Sequence, residues 1–211
     1  MQKVLYIFLS LFTLSAYAQN VQIKYQNTFA NIKNVGLNME QSTLVLANQT
    51  AWFYCEESPQ KIHFVNSYFY NLQNVTGYMV FPKSDILGID QPYLVPVKIP
   101  DWKITTNQKN IAGYVCYKAT GQYTNLATGV TDIIEAWFAK DLPYSVGPNG
   151  AMGLPGIILE YTSKELNFLA TEVLLNNTTE SIPWPSYPVV SLQEIDKIID
   201  AKIGHFKSKN E

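Results

Sequence analysis

Few residues in this 211-residue chain carry reactive side chains, and their spacing narrows the chemistry quickly. The two histidines, His63 and His205, lie far apart, and neither His-Glu-x-x-His nor Cys-x-x-Cys occurs. A metal centre needs several such ligands at workable spacing, so neither metal nor cofactor is expected, and His63 reads as a surface residue. No serine sits in a Gly-x-Ser-x-Gly elbow, which leaves no activated hydroxyl nucleophile. Neither a phosphate-binding loop nor a dinucleotide glycine fingerprint is present. Glu56, Glu57 and Glu135 could in principle supply a carboxylate pair for a secreted hydrolase. Solvated loop carboxylates are far commoner, so that reading is the alternative, not the expectation.

Cys55 and Cys116 are the only cysteines. An even count in an exported chain favours a disulfide between them. Closing that loop would contribute roughly 4 kcal/mol by the chain-entropy model. Two separate buried thiols are the rival reading.

Export itself is read from the first residues. Lys3 precedes an apolar run, Val4 to Leu14, and Ala16-Tyr17-Ala18 fits a signal-peptidase site. Cleavage is expected between Ala18 and Gln19, leaving residues 19–207 as one β-rich domain and 208–211 as a frayed tail. The run is too short to span a bilayer, and no later stretch is long enough either. All 15 basic residues are lysine against 17 acidic ones, so no basic footprint for nucleic acid exists.

The elements that would position these groups are mostly strands. Period-two alternation marks Val21–Tyr25, Thr43–Leu46, Ala51–Cys55, Ile62–Tyr70, Gly77–Phe81, Tyr93–Ile99, Ile111–Thr120, Thr131–Ala139, Gly156–Thr162 and Leu166–Leu175. Pro96 demotes its segment to an edge or a bulge. Nine or ten short strands with Asn, Gly and Pro turns imply an antiparallel meander. The Pro-rich run Ile182–Pro188 must be extended. After it, Ser191 and Glu194 form a capping box for a helix whose stripe is Ile195, Ile198, Ile199, Ile203 and Phe206. The expected fold is mainly β, a bent antiparallel sheet with a C-terminal helix, open like a half-barrel; a β-sandwich is the alternative.

Aromatic content is high, with 14 Tyr, 10 Phe and 4 Trp. Trp52-Phe53-Tyr54, Tyr68-Phe69-Tyr70 and Trp137-Phe138 place successive rings on opposite faces of a strand. One face of each must be core; the other lines an apolar pocket or a partner surface, or is covered by loops.

From Trp102 onward an ordered series of motifs follows: Ile111 to Ala119, including Gly113, Tyr114, Cys116, Lys118 and Ala119; Glu135-Ala136-Trp137-Phe138; Leu142-Pro143; Gly147-Pro148; and Gly153-Leu154-Pro155-Gly156-Ile157-Ile158. This series resembles the GLPGLI family of exported Bacteroidetes proteins, with Ile157 and Ile158 where the naming motif has leucine first. The resemblance implies a periplasmic, outer-membrane-associated or extracellular protein. It implies partners such as an outer-membrane transporter, but no catalytic residues, because the family has none assigned. Taken with the missing nucleophile and metal ligands, the expected role is a non-enzymatic binding or accessory one in the cell envelope, with an apolar or peptide ligand. Pro155 and Gly156 suit the central positions of a type II turn, with positive φ at Gly156 and no such demand at Gly153.

Overall fold

The structure is a computed structural model that describes residues 20–30, 41–55, 66–124, 131–176 and 181–209. The expected leader, the Ala18–Gln19 junction, Glu56, Glu57 and His63 lie outside these residues, as do the last two residues of the tail. His205 falls on the helix.

Eleven strands form one open antiparallel sheet. They are β1 (Val21–Phe29), β2 (Ser42–Ala47), β3 (Thr50–Cys55), β4 (Tyr68–Asn71), β5 (Thr76–Phe81), β6 (Tyr93–Pro96), β7 (Lys103–Ile111), β8 (Tyr114–Thr124), β9 (Thr131–Ala139), β10 (Ile157–Thr162) and β11 (Leu166–Leu175). Their order is β6-β5-β4-β3-β2-β1-β11-β10-β9-β8-β7. The helix α1 (Leu192–Lys209) ends the chain. The fold is the expected mainly β architecture in one sheet, not a sandwich. Among the described residues no helix is long and apolar enough to cross a membrane.

The strand order forces the sheet to curl. β6 and β7 are opposite edges, yet only residues 97–102 join them. Laid flat, eleven strands would span about 48 Å. The linker reaches at most about 25 Å. The edges must therefore approach each other, although they do not pair.

One face of the curled sheet holds the main core. Tyr25, Leu44, Phe53, Tyr70, Ala136, Phe138 and Phe168 are fully buried there. Phe53 packs edge-on against both Tyr25 and Phe168. The segment between β9 and β10 fills the remaining space, burying Leu142, Val146, Ala151, Met152 and Leu154. A smaller cluster joins Ile195 of the helix to Ile89, Tyr93 and Val95, so α1 docks at the β5–β6 end. Its start is the expected capping box: the Glu194 amide donates to Ser191 Oγ at 3.3 Å, and the Ser191 amide donates to the Glu194 carboxylate at 2.7 Å.

One strand escaped the sequence pattern. β7 is polar on both faces, since it is the far edge of the sheet, and its alternation is weak. It joins β8 through Ala112 and Gly113, both at positive φ (48° and 88°), the geometry of a two-residue type I′ hairpin. At the other edge, Pro96 closes the edge strand β6, as its missing amide requires.

The expected Cys55–Cys116 disulfide is not formed. Cys55 ends β3 and pairs in register with Ser42, while Cys116 on β8 lies between Lys109 and Ala139. Five strands lie between β3 and β8 along the sheet, and each thiol keeps a partner of its own. Asn27 Nδ2 lies 3.7 Å from Cys55 Sγ as a donor, and the Cys116 thiol donates to Tyr114 O.

Candidate functional site

The motif residues separate into two groups, one inside the curl and one on its surface. Inside, the β9–β10 segment is tied to distant strands by buried hydroxyls and an indole. Tyr70 Oη donates to Gly147 O at 2.8 Å and accepts from the Gly150 amide at 3.0 Å. Tyr25 Oη donates to Ile158 O at 2.7 Å. Trp102 Nε1 donates to Met152 O at 2.8 Å. Pro148 is buried beside Gly147, and Ala119 sits directly opposite Ala136 with both fully enclosed. Through Gly147, Gly150 and Met152 the segment is thus tied to β4 and to Trp102, just before β7.

The turn at Gly156 differs from expectation. Its φ is 158°, far from the value near +80° that a type II corner needs. Its amide donates to Leu154 O at 2.9 Å, a tight three-residue turn around Pro155, and Ile157 N donates instead to Leu142 O. Glycine is required because a Cβ there would lie 2.1 Å from Ala139 O. Positive φ belongs instead to Gly153, at 97°. Sequence alone misplaces the constraint because close approach of another strand's backbone leaves no local signature.

On the surface, Lys109, Lys118, Glu135, Trp137 and Glu160 gather across β7 to β10. Lys118 Nζ lies 2.5 Å from Glu135 Oε2, and Lys109 Nζ lies 2.7 Å from Glu160 Oε2. Trp137 Nε1 donates to Glu135 Oε1 at 3.0 Å, and Lys109 Nζ stands 4.1 Å over the Trp137 ring. Burial pushes the Glu135 carboxyl up, but hydrogen bonds from Lys118 and Trp137 outweigh it and hold the group below its usual range. A carboxylate so held offers no proton near neutral pH, and its charge is already matched. Lys109 and Glu160 carry no motif signal; only register brings them to Trp137.

A second surface feature is aromatic. Trp52 stacks on Tyr54 at 4.1 Å and on Phe69 at 5.7 Å. Trp184, from the Pro-rich run, meets Phe69 and Tyr78 edge-on at 6.0 and 5.7 Å. Register lines up Trp52, Phe69 and Tyr78 across β3, β4 and β5. Their neighbours Phe53, Tyr68 and Tyr70 point into the core, so the alternation of rings seen in the sequence is resolved. Trp52 Nε1 is buried and has no acceptor among the described residues. Tyr78 and Trp184 were not legible as members of this row, because the strand order that adds them is tertiary. Among the described residues no three His, Cys, Asp or Glu side chains converge on a point where a metal could bind.

A family model described as "Protein of unknown function (Porph_ging)" matches residues 122–160, which include Glu135, Trp137, Gly147 and the Gly153–Gly156 run. No curated protein sequence matches the chain. Two solved structures are similar in fold, both of PNGF-II. The one in space group C2 has a TM-score of 0.61 at 17% identity, covering 88% of this chain and 33% of that one. The one in space group P21 has a TM-score of 0.59 at 18% identity, covering 88% and 34%. This chain therefore spans about a third of the length of those proteins.

Proposed function

We propose that this is an exported cell-envelope protein of the GLPGLI type whose activity is binding, not catalysis. Processing after Ala18 delivers it to the periplasm or the outer membrane, where an apolar or peptide ligand, or an outer-membrane transporter, meets its surface. The observation that carries the reading is the row Trp52, Phe69, Tyr78 and Trp184 on the sheet face away from the main cluster, where Phe69 is buried and Trp184 is 40% exposed. Aromatic rings placed on the outer face of a sheet supply rigid apolar contact area at little cost in conformational entropy. The motif order and the family match over 122–160 support the family assignment.

Against the hydrolase alternative stands Glu135, whose charge is spent on Lys118 and Trp137. The test is purification from the native envelope with mass spectrometry of the protein and whatever stays bound. A mature chain starting at Gln19, and a bound molecule that Tyr78→Ala releases without lowering the melting temperature, is the expected result. Full retention by folded Tyr78→Ala and Phe69→Ala variants would remove the aromatic row as the site.

A further inference from the structure

Residues 181–190 cross the face that carries Phe69 and Tyr78 and end at the β6 edge, and they hold no charged side chain. Proline fixes its own φ and keeps the residue before it extended. Ile182, Pro183, Trp184, Pro185, Tyr187 and Pro188 are therefore all confined, and only Ser186 among them is free. The result is a polyproline helix, with three residues per turn and no internal hydrogen bonds. Exposure follows the same period. Ile182 and Pro185, three apart, are half-buried, whereas Pro183, Ser186 and Val189 on one side and Trp184 and Tyr187 on another are exposed. The run is held at two points. The Trp184 ring meets Phe69 and Tyr78 edge-on, yet 40% of the residue remains exposed. Leu94 N donates to Pro188 O at 2.9 Å, and Val190 N donates to Leu94 O at 3.0 Å.

We propose that residues 181–190 are a displayed recognition motif, a preformed polyproline helix read by an aromatic-lined groove of another protein. This goes beyond the binding reading above, because here the chain supplies the motif and the partner supplies the groove. The segment stays seated on the sheet, and the partner reads its outward sides. Such grooves favour polyproline because little conformational entropy is left to lose. Here the prolines and the two anchors have already removed it. Pro185 and Pro188 stand three apart, one turn of the helix, and the exposed Trp184 and Tyr187 rings lie one turn apart beside them. The run has no charge, so the groove that matches it is apolar and neutral. A lipid surface fits less well, since no lysine lies in the run to meet headgroups. A second copy also fits less well. Its own aromatic row already holds its own Trp184, and ten residues fall short of the roughly 20–30 per side that a stable dimer uses.

The experiment places a photo-crosslinker on the outward side of the run, Ser186→p-benzoylphenylalanine, in the full chain within its native envelope. Irradiation should give one protein adduct, and a synthetic peptide of the sequence Ser181 to Val190 should compete it away. The same peptide carrying Pro183→Ala, Pro185→Ala and Pro188→Ala should need about tenfold more to do so, because its ordering cost is restored. Adding Tyr187→Ala to the protein removes an exposed ring and should reduce the adduct about tenfold without moving the melting temperature. Five results overturn the inference: no adduct from a protein that melts like the wild type, an adduct with lipid or with a second copy, an adduct that the peptide leaves untouched, equal competition by the two peptides, or an undiminished adduct from Tyr187→Ala. The binding reading is tested by Tyr78→Ala on a bound molecule, whereas the cross-link is read with the aromatic row intact, so either can fail alone.

Discussion

Gly156→Ala isolates the reason for the family-motif glycine. The new Cβ would stand 2.1 Å from Ala139 O and 2.7 Å from Ala139 C. Neither atom can retreat alone. Ala139 O accepts from the Leu142 amide at 3.2 Å, and Ala139 is the register partner of Ile157. Relief requires parting the start of β10 from β9. That forfeits the Ile157 pairing and its bond to Leu142 O, at about 1 kcal/mol each. Displacing the buried Leu154 and Ile157 adds about 1–3 kcal/mol of strain. The sum is about 3–5 kcal/mol, which lowers the melting temperature of a chain this size by about 10 °C. Two other glycines calibrate the measurement. Gly153 has φ 97° and a Cβ position 2.4 Å from Ile99 Cγ2, but Ile99 is an exposed side chain that can swing away. Gly153→Ala should therefore cost only the left-handed conformation, about 1–2 kcal/mol. Gly113 has φ 88° with nothing within 4 Å of a Cβ, and its alanine variant should cost about 1 kcal/mol. Thermal unfolding by circular dichroism ranks the three. A Gly156→Ala loss no larger than that of Gly113→Ala would refute the close-approach account.

Ile195→Asp places a charge in the fully enclosed seat of α1 and should cost several kcal/mol or detach the helix, seen as lost helical signal; an unchanged midpoint would mean that α1 does not dock. Ser191→Ala removes the cap acceptor and should lower the melting temperature by about 2–4 °C, with wild-type behaviour counting against the box. Burial pushes the Cys116 thiol up to about 11 from an ordinary 9.0 and raises the Tyr25, Tyr68, Tyr70 and Tyr161 phenols as well. These groups are raised in the folded state, so stability is full below pH 9 and falls as the unfolded chain loses protons above it. Phenolate absorbance of these four tyrosines should appear only with unfolding, and smooth titration of every tyrosine without a cooperative step would contradict their burial. Native alkylation at pH 8 should modify Cys116 far more slowly than in denaturant; equal rates would show the thiol to be accessible.

The strands β1 to β6 and β8 to β11 were legible because alternation and turn residues are local signals; Pro96 marked β6 as an edge, though the strand ends there instead of running on to Ile99. The capping box and the stripe residues Ile195, Ile198 and Ile199 were legible for the same reason: their partners lie within four residues of one another. β7 was not, since an exposed edge strand needs no apolar face and shows no period. The cysteine pairing was argued from count and compartment, but tertiary structure leaves Cys55 on β3 and Cys116 on β8 as separate thiols, which neither count nor compartment reveals. Gly156 was recognised as a constrained position, but its constraint comes from Ala139, seventeen residues earlier on a neighbouring strand. The aromatic triplets announced that rings must face both ways. Which rings became core and which became surface was decided by the curl of the sheet, and the curl follows from joining opposite edges with six residues. Local chemistry writes itself into neighbouring positions. Contacts such as Trp184 on Phe69, or Lys109 over Trp137, depend on sheet order and register, which no short stretch of chain contains.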